Sequence, residues 1–149
     1  MLLAKKPSAR RTGATAVEMA FVALVFILFL FGIVEYCLII YSQNIVENAA
    51  REGARYAVVR TTDTNLVADT QAYVQTLMCG LDTKYTGYSC NVYQADSSGN
   101  DNGKGAINAQ FGQYICVDVQ LTYTPITPVL LHLSSFTIRS KCAMISEAN

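Results

Sequence analysis

Few residues in this chain have the types and spacing that catalysis requires. His132 is the only histidine, and it lies in the apolar segment Val129–Leu133, where packing or an interfacial position is more typical than a role as a base. Glu18 and Glu35 are seventeen residues apart, about 25 Å along a helix and too far for a carboxylate pair. The sequence has no glycine-rich phosphate loop and no G-x-S-x-G turn. We therefore expect a protein that is not an enzyme.

Five cysteines are the remaining reactive groups. The spacings of Cys79, Cys90, Cys116 and Cys142, with 10, 25 and 25 intervening residues, match no zinc finger. These four permit two disulfides in three pairings, and we predict Cys79 with Cys90 and Cys116 with Cys142. Strand alternation assigns Cys116 and Cys142 to different faces, so their pairing requires a bulge or an irregular strand end. Cys37 lies in an apolar segment and is expected to be a buried small hydrophobe.

The bulk composition indicates one globular domain with an anchor. The chain has 149 residues, 52% of them apolar and 15% charged, with no net charge. Four cations lie within residues 5–11, before the first acid, Glu18. The rest of the chain contains seven Lys and Arg and eleven Asp and Glu, so it is acidic overall. Because the only cationic cluster precedes an apolar segment, we expect no nucleic-acid partner.

The apolar segment is long enough to suggest a membrane helix. Met19–Val34 contains sixteen residues without a polar side chain, which span roughly 24 Å of a hydrocarbon core about 30 Å thick. The flanks are largely apolar too, so we predict a single membrane-spanning helix over residues 14–41, with Tyr36 and Tyr41 at the interface. The preceding cations predict a cytoplasmic N-terminus and export of the chain from about residue 42.

Cleavage by signal peptidase is the first alternative for this segment. That enzyme requires small residues in an A-x-A-like pattern after the apolar stretch, whereas this chain has bulky and charged residues at Val34–Leu38. The same residues make Cys37 a poor lipoprotein acceptor. We therefore do not expect ordinary signal cleavage.

A different processing signal precedes the apolar segment. Gly13–Glu18, which follows two arginines, resembles the class III signal of type IV pilin-like proteins. The resemblance implies that a prepilin peptidase cuts after Gly13, that Ala14 becomes the N-terminus, and that Glu18 is the glutamate at the fifth mature position. An acid in a membrane helix costs about 2.5 to 3.5 kcal/mol, so the new ammonium of Ala14 would be a suitable partner. Alternatively, Glu18 lies at headgroup level and complements the helix dipole.

The next segment continues the helix. Between residues 42 and 57 small or apolar residues recur at helical spacing, and Glu47 and Arg51 form an i, i+4 pair, so we expect the helix to reach about Val59. Small residues permit close approach of another element, which makes this face a candidate helix interface: Ala49, Ala50, Gly53 and Ala54. We favour close packing on another element over direct ligand binding for this face, and in a pseudopilin the partner surface is itself such a packing surface.

The Asn48–Arg55 stretch, with the membrane helix ahead of it, resembles the TadE-like family of pseudopilins from tight-adherence (Tad or Flp) pilus systems. Val117–Pro128 and the last strand, which leads to Glu147, are similar to the C-terminal half of that family, whereas 81–112 carries no likeness. The resemblance implies a minor pseudopilin or assembly component of an adhesive pilus. It also implies three partners, which are prepilin peptidase, other pilins or pseudopilins and the Tad secretion apparatus.

The resemblance places the protein in the bacterial inner membrane, with its C-terminal domain in the periplasm, or in the pilus itself. The alternative is a non-catalytic, membrane-anchored extracytoplasmic binding domain that keeps its leader. The expected organisation has four parts: a leader over 1–13, a membrane helix over 14–41, an exported continuation over 42–60, and an α+β domain over 61–149.

We predict that the exported domain has α+β structure with a three-stranded antiparallel sheet. A second helix is expected from Asp63 or Thr64 to about Cys79, with Thr70 interrupting its apolar face. Residues 97–105 are predicted to be a loop, and because Asp96, Asp101 and the nearby Asn residues lack the spacing of an EF-hand, no metal or cofactor is expected. Alternation and turn residues predict three strands: Tyr88–Ala95, Tyr114–Thr124 and Phe136–Met144.

Overall fold

The computed structural model describes residues 12–126 and 134–147, and its most prominent element is one long helix. Helix α1 covers Thr12–Val58, 47 residues, and is about 70 Å long at 1.5 Å per residue. No proline occurs between Pro7 and Pro125, so no residue forces a break in this helix. Arg55 lies in its last turn, where a cation complements the helix dipole. The expected ion pair between Glu47 and Arg51 is formed on its exposed side.

The rest of the chain forms a small domain of two short helices and one sheet. The sheet is antiparallel, with strand order β2-β1-β3-β4. The α+β class and the antiparallel sheet are thereby confirmed, but the predicted number of three strands is wrong because there are four. The elements are α2 (Leu66–Leu77), α3 (Leu81–Lys84), β1 (Thr86–Ala95), β2 (Asp101–Gly105), β3 (Tyr114–Tyr123) and β4 (Phe136–Ile145).

Strand β2 was predicted to be part of a loop, and the reason is its composition. Its five residues are Asp-Asn-Gly-Lys-Gly, all exposed, so no side-chain alternation marks a strand. The backbone pairing with β1 follows a tight turn in which Asp96 Oδ1 accepts hydrogen bonds from the N–H groups of Ser98 (2.8 Å) and Asn100 (2.9 Å). These bonds lower the pKa of Asp96. The carboxylate of Asp96 therefore holds the turn that leads into β2.

Helix α2 is shorter than predicted at both ends. It begins at Leu66, after a turn in which Asp63 Oδ1 accepts a hydrogen bond from the N–H of Asn65 at 2.9 Å. Thr70 does not interrupt the buried face as predicted, because it is itself fully buried between Leu66 and Val74. A small β-branched threonine thus serves as a core residue where α2 lies against α1.

The core lies between the inner face of the sheet, α2 and the second half of α1. Alternate residues of β3 point into it, as predicted, and all five are fully buried: Ile115, Val117, Val119, Leu121 and Tyr123. Gly53 of α1 lies where the three layers meet. A Cβ there would overlap Cγ2 of Val74 in α2 and would lie 3.3 Å from Cγ1 of Val117 in β3. The close packing of the helix therefore depends on the missing side chain.

Candidate functional site at the junction of helix and domain

The two halves of α1 have different surroundings. In the half from Gly13 to Val34 almost every side chain is exposed, and by length and composition this part is apolar enough to cross a membrane. From Glu35 to Val58 one face of the same helix is buried by the domain. The change occurs at Glu35, directly after the predicted apolar segment.

Glu35 is a buried acid at this boundary. Only 2% of the residue is exposed. Its Oε1 accepts a hydrogen bond of 2.7 Å from the Tyr123 hydroxyl, and its Oε2 accepts one of 3.1 Å from the N–H of Ile126. Burial and the bond to Glu35 raise the pKa of Tyr123. Because a buried carboxylate is costly without partners, these two donors fix the end of β3 to one helix position.

Aromatic rings surround this contact. The ring of Tyr123 is 4.9 Å from that of Tyr85 and 5.5 Å from that of Phe136, measured between centroids. We name this group the Glu35 junction: Glu35, Tyr85, Tyr123, Ile126 and Phe136. It is a rigid contact between the exposed helix and the domain.

Sequence reasoning missed the Glu35 junction. It considered Glu35 only as the end of the apolar segment and as one half of a rejected carboxylate pair with Glu18, and Tyr123 only as an apolar residue of a strand. The two are 88 residues apart in the chain, and no local pattern connects them. The one available signal was an acid without a local cation at the edge of a membrane helix, where a partner is expected.

The predicted processing residues lie at the start of α1. Gly13, Ala14 and Glu18 are all exposed, and Ala14 and Glu18 are four residues apart on the same helix face. A Cβ at Gly13 would meet no atom within 4 Å. The fold therefore does not require glycine at this position. Whether the chain is cut there stays a prediction.

The predicted helix-interface residues face the chain's own domain. Ala49, Ala50 and Ala54 are 0% exposed, and Gly53 is buried against α2 and β3. Packing against the chain's own domain thus occupies this face. A role of these four residues in assembly with other subunits stays a prediction.

All five cysteines lie in the described part of the chain, and all are free thiols there. In the register of β3 and β4, Cys116 pairs with Ala143 and Cys142 pairs with Val117. The expected position of Cys142 opposite Cys116 is therefore wrong by one residue, because the ladder is regular and has no bulge. The two thiols lie on opposite faces of the sheet.

The other cysteines differ in exposure. Cys79 is exposed and Cys90 is buried, where burial and the charge of Asp118 raise the pKa of its thiol to about 11. The pairing of these two stays a prediction. Cys37 is not covered by the domain, which packs on a different face of α1, and its burial in the membrane stays a prediction.

The outer face of the sheet contains one ion pair that the sequence did not indicate. Asp118 has a side chain only 5% exposed, and Arg139 donates to both of its carboxylate oxygens, with Nε 2.8 Å from Oδ1. Across the described residues, no group of three or more His, Cys, Asp or Glu side chains could hold a metal ion. His132 lies outside the residues that the structure describes.

These features define a class of protein in which the first half of a long helix has the length and composition of a membrane helix, and the second half forms part of the core of a small α+β domain. Residues 13–55 match the family model described as TadE-like protein, which confirms the resemblance to the TadE-like family. The match indicates a component related to the Tad pilus, and that family is generally non-catalytic. No curated protein matches this chain. No solved structure matches it either.

Proposed function

We propose that this protein is a minor pseudopilin or assembly component of a Tad-type pilus, anchored by α1 and processed by a prepilin peptidase after Gly13. The observation that carries the proposal is the division of α1. Its first half is apolar and uncovered, and its second half is built into the domain. Such a helix can pass from lipid into a helical assembly with its attached domain intact. The match over residues 13–55 covers this helix.

The proposed arrangement divides the chain at the boundaries expected from the sequence. Residues 1–13 are the leader, 14–41 the membrane helix, 42–60 its exported continuation, and 61–149 the extracytoplasmic domain. The N-terminus is cytoplasmic, because the cations of the leader precede the apolar segment. The proposed partners are prepilin peptidase, other pilins and the Tad secretion apparatus. The second candidate is a membrane-anchored binding domain that keeps its leader.

Cleavage after Gly13 distinguishes the two candidates. In cells with an active prepilin peptidase, the mature chain is expected to begin at Ala14, and Gly13→Val is expected to retain the leader. Since a Cβ at Gly13 meets no atom of the described residues within 4 Å, the substitution is expected to leave the domain folded. Mass spectrometry of the membrane-extracted protein measures both N-termini. An intact Met1 in the wild-type chain would contradict the processing and leave the binding-domain alternative.

Glu18 is expected to serve assembly more than anchoring. Removing an acid from an apolar helix lowers the cost of insertion, whereas any ion pair with a partner is lost. Glu18→Ala is therefore expected to reach the membrane in normal amounts and yet fail to restore pili in a deletion strain, as seen by electron microscopy. Glu47→Ala, which removes an exposed acid from the same helix, is the control and should restore pili. Normal piliation by Glu18→Ala would refute the assembly role.

A further inference from the structure

The end of the domain nearest the apolar half of α1 exposes apolar side chains at the level of Glu35. We call it the lower end. Ile126 is 60% exposed although its N–H is bonded to the carboxylate of Glu35. Phe136 is 39% exposed, and its ring is 5.5 Å from that of Tyr123, whose hydroxyl bonds to the same acid. Both residues are therefore held at the level of one known helix position. We name Ile126 and Phe136 the lower rim.

The exposed apolar surface of α1 extends beyond that level. Tyr36 is 64%, Ile40 39% and Tyr41 53% exposed, and Tyr41 lies about 9 Å further along the helix than Glu35. Over the same turns Glu35 and Ser42 are covered by the domain. Around Glu35 to Ser42 the helix therefore has one apolar face that is exposed and one face that is covered by the domain. A bilayer that covers the exposed face as far as Tyr36 and Tyr41 extends past the level of Glu35. It must then also reach the lower rim, which lies at that level.

We infer that the lower rim inserts into the outer interface of the lipid bilayer, between the headgroups and the acyl chains. The occupant is lipid because the rim continues the apolar surface of the membrane helix at the same height. Aromatic and aliphatic side chains beside buried polar groups are typical of that zone. The contact adds a second membrane attachment and fixes the height of the domain. This inference rests on the proposed membrane anchoring.

Single tryptophans test the insertion, because the natural chain contains none. The full chain is reconstituted in phosphatidylcholine vesicles that carry bromine either near the headgroup or near mid-chain. Ile126→Trp reports on the lower rim. Phe26→Trp, 62% exposed in the apolar half of α1, reports on the membrane helix. Phe111→Trp is the matched control: it is 70% exposed at the opposite end, where Gly112 and Glu147 bond to Ser146 and Val58.

The expected result is strong quenching of Ile126→Trp by shallow bromine, strong quenching of Phe26→Trp by deep bromine, and no quenching of Phe111→Trp. If Ile126→Trp and Phe111→Trp behave alike while Phe26→Trp is quenched, the anchor is present and the inference is overturned. If Phe26→Trp is not quenched, the proposed anchoring itself fails, and the inference fails with it. The three positions therefore separate the two failures.

Discussion

Gly53→Ala is expected to destabilise the domain, although alanine favours a helix over glycine by about 1 kcal/mol. The new Cβ would overlap Cγ2 of Val74, a β-branched side chain on a packed helix, and would crowd Val117. Overpacking of this kind costs about 1 to 3 kcal/mol in free energy of unfolding. Urea denaturation of the purified protein in detergent, followed by circular dichroism, measures the change.

Two further variants identify the cause. Gly32→Ala makes the same substitution in the same helix where no atom lies within 4 Å, so it should leave the stability of the domain unchanged. Val74→Ala alone should lower the stability of the domain. In the double variant, however, the smaller side chain at position 74 makes room for the new Cβ at position 53, so the combined loss should be smaller than the sum of the two single losses. Equal stability of Gly53→Ala and Gly32→Ala would show that the helix and domain do not pack as described.

Glu35→Ala is expected to weaken the attachment of the sheet to α1. The substitution leaves the buried Tyr123 hydroxyl without its acceptor and also removes the acceptor of the Ile126 N–H. A buried donor that loses its partner costs about 1 to 3 kcal/mol. Urea denaturation in detergent should show lower stability, and hydrogen exchange should show faster exchange of the Ile126 amide.

Matched variants separate charge from hydrogen bonding at this site. Glu35→Gln keeps a carbonyl acceptor and should lose less stability than Glu35→Ala, while Tyr123→Phe removes one donor and retains the ring contacts with Tyr85 and Phe136. In a double-mutant cycle, Glu35→Ala and Tyr123→Phe should be strongly non-additive. Simple additivity would mean that the two groups do not interact in solution.

The local parts of this fold were predictable because each has a local cause. The apolar segment and the absence of proline predict α1, and the alternation from Ile115 to Tyr123 predicts the buried face of β3. β2 was not predictable from side chains, since Asp101–Gly105 has the composition of a turn and pairs through its backbone. Gly53 was recognised as a contact, because glycine in a helix is costly unless something approaches it.

The site was less predictable than the fold because it depends on contacts between distant segments. The sequence indicated Gly13 and Glu18 as candidate site residues, because their spacing is a local pattern. It did not indicate the hydrogen bonds from Tyr123 and Ile126 to Glu35. The cysteines show the same limit. Their strand faces followed from alternation, whereas the register that places Cys116 opposite Ala143 did not. A difference of one residue in register moves a side chain to the other face of the sheet.

Because α1 is unbroken, the orientation of the domain follows the orientation of the helix. From Glu35 to Val58 one face of the helix is packed against the domain, and at the junction the Glu35 carboxylate accepts hydrogen bonds from the Tyr123 hydroxyl and the N–H of Ile126. The described residues contain no flexible segment between the two halves of α1 that could change the angle between the apolar half and the domain. The domain therefore tilts together with the helix. The packed part of α1 is about 35 Å long, and a tilt of about 20°, ordinary for a membrane helix, moves its far end sideways by about 12 Å. With α1 anchored as proposed, the thickness and packing of the surrounding lipid would thereby set the direction in which the domain points.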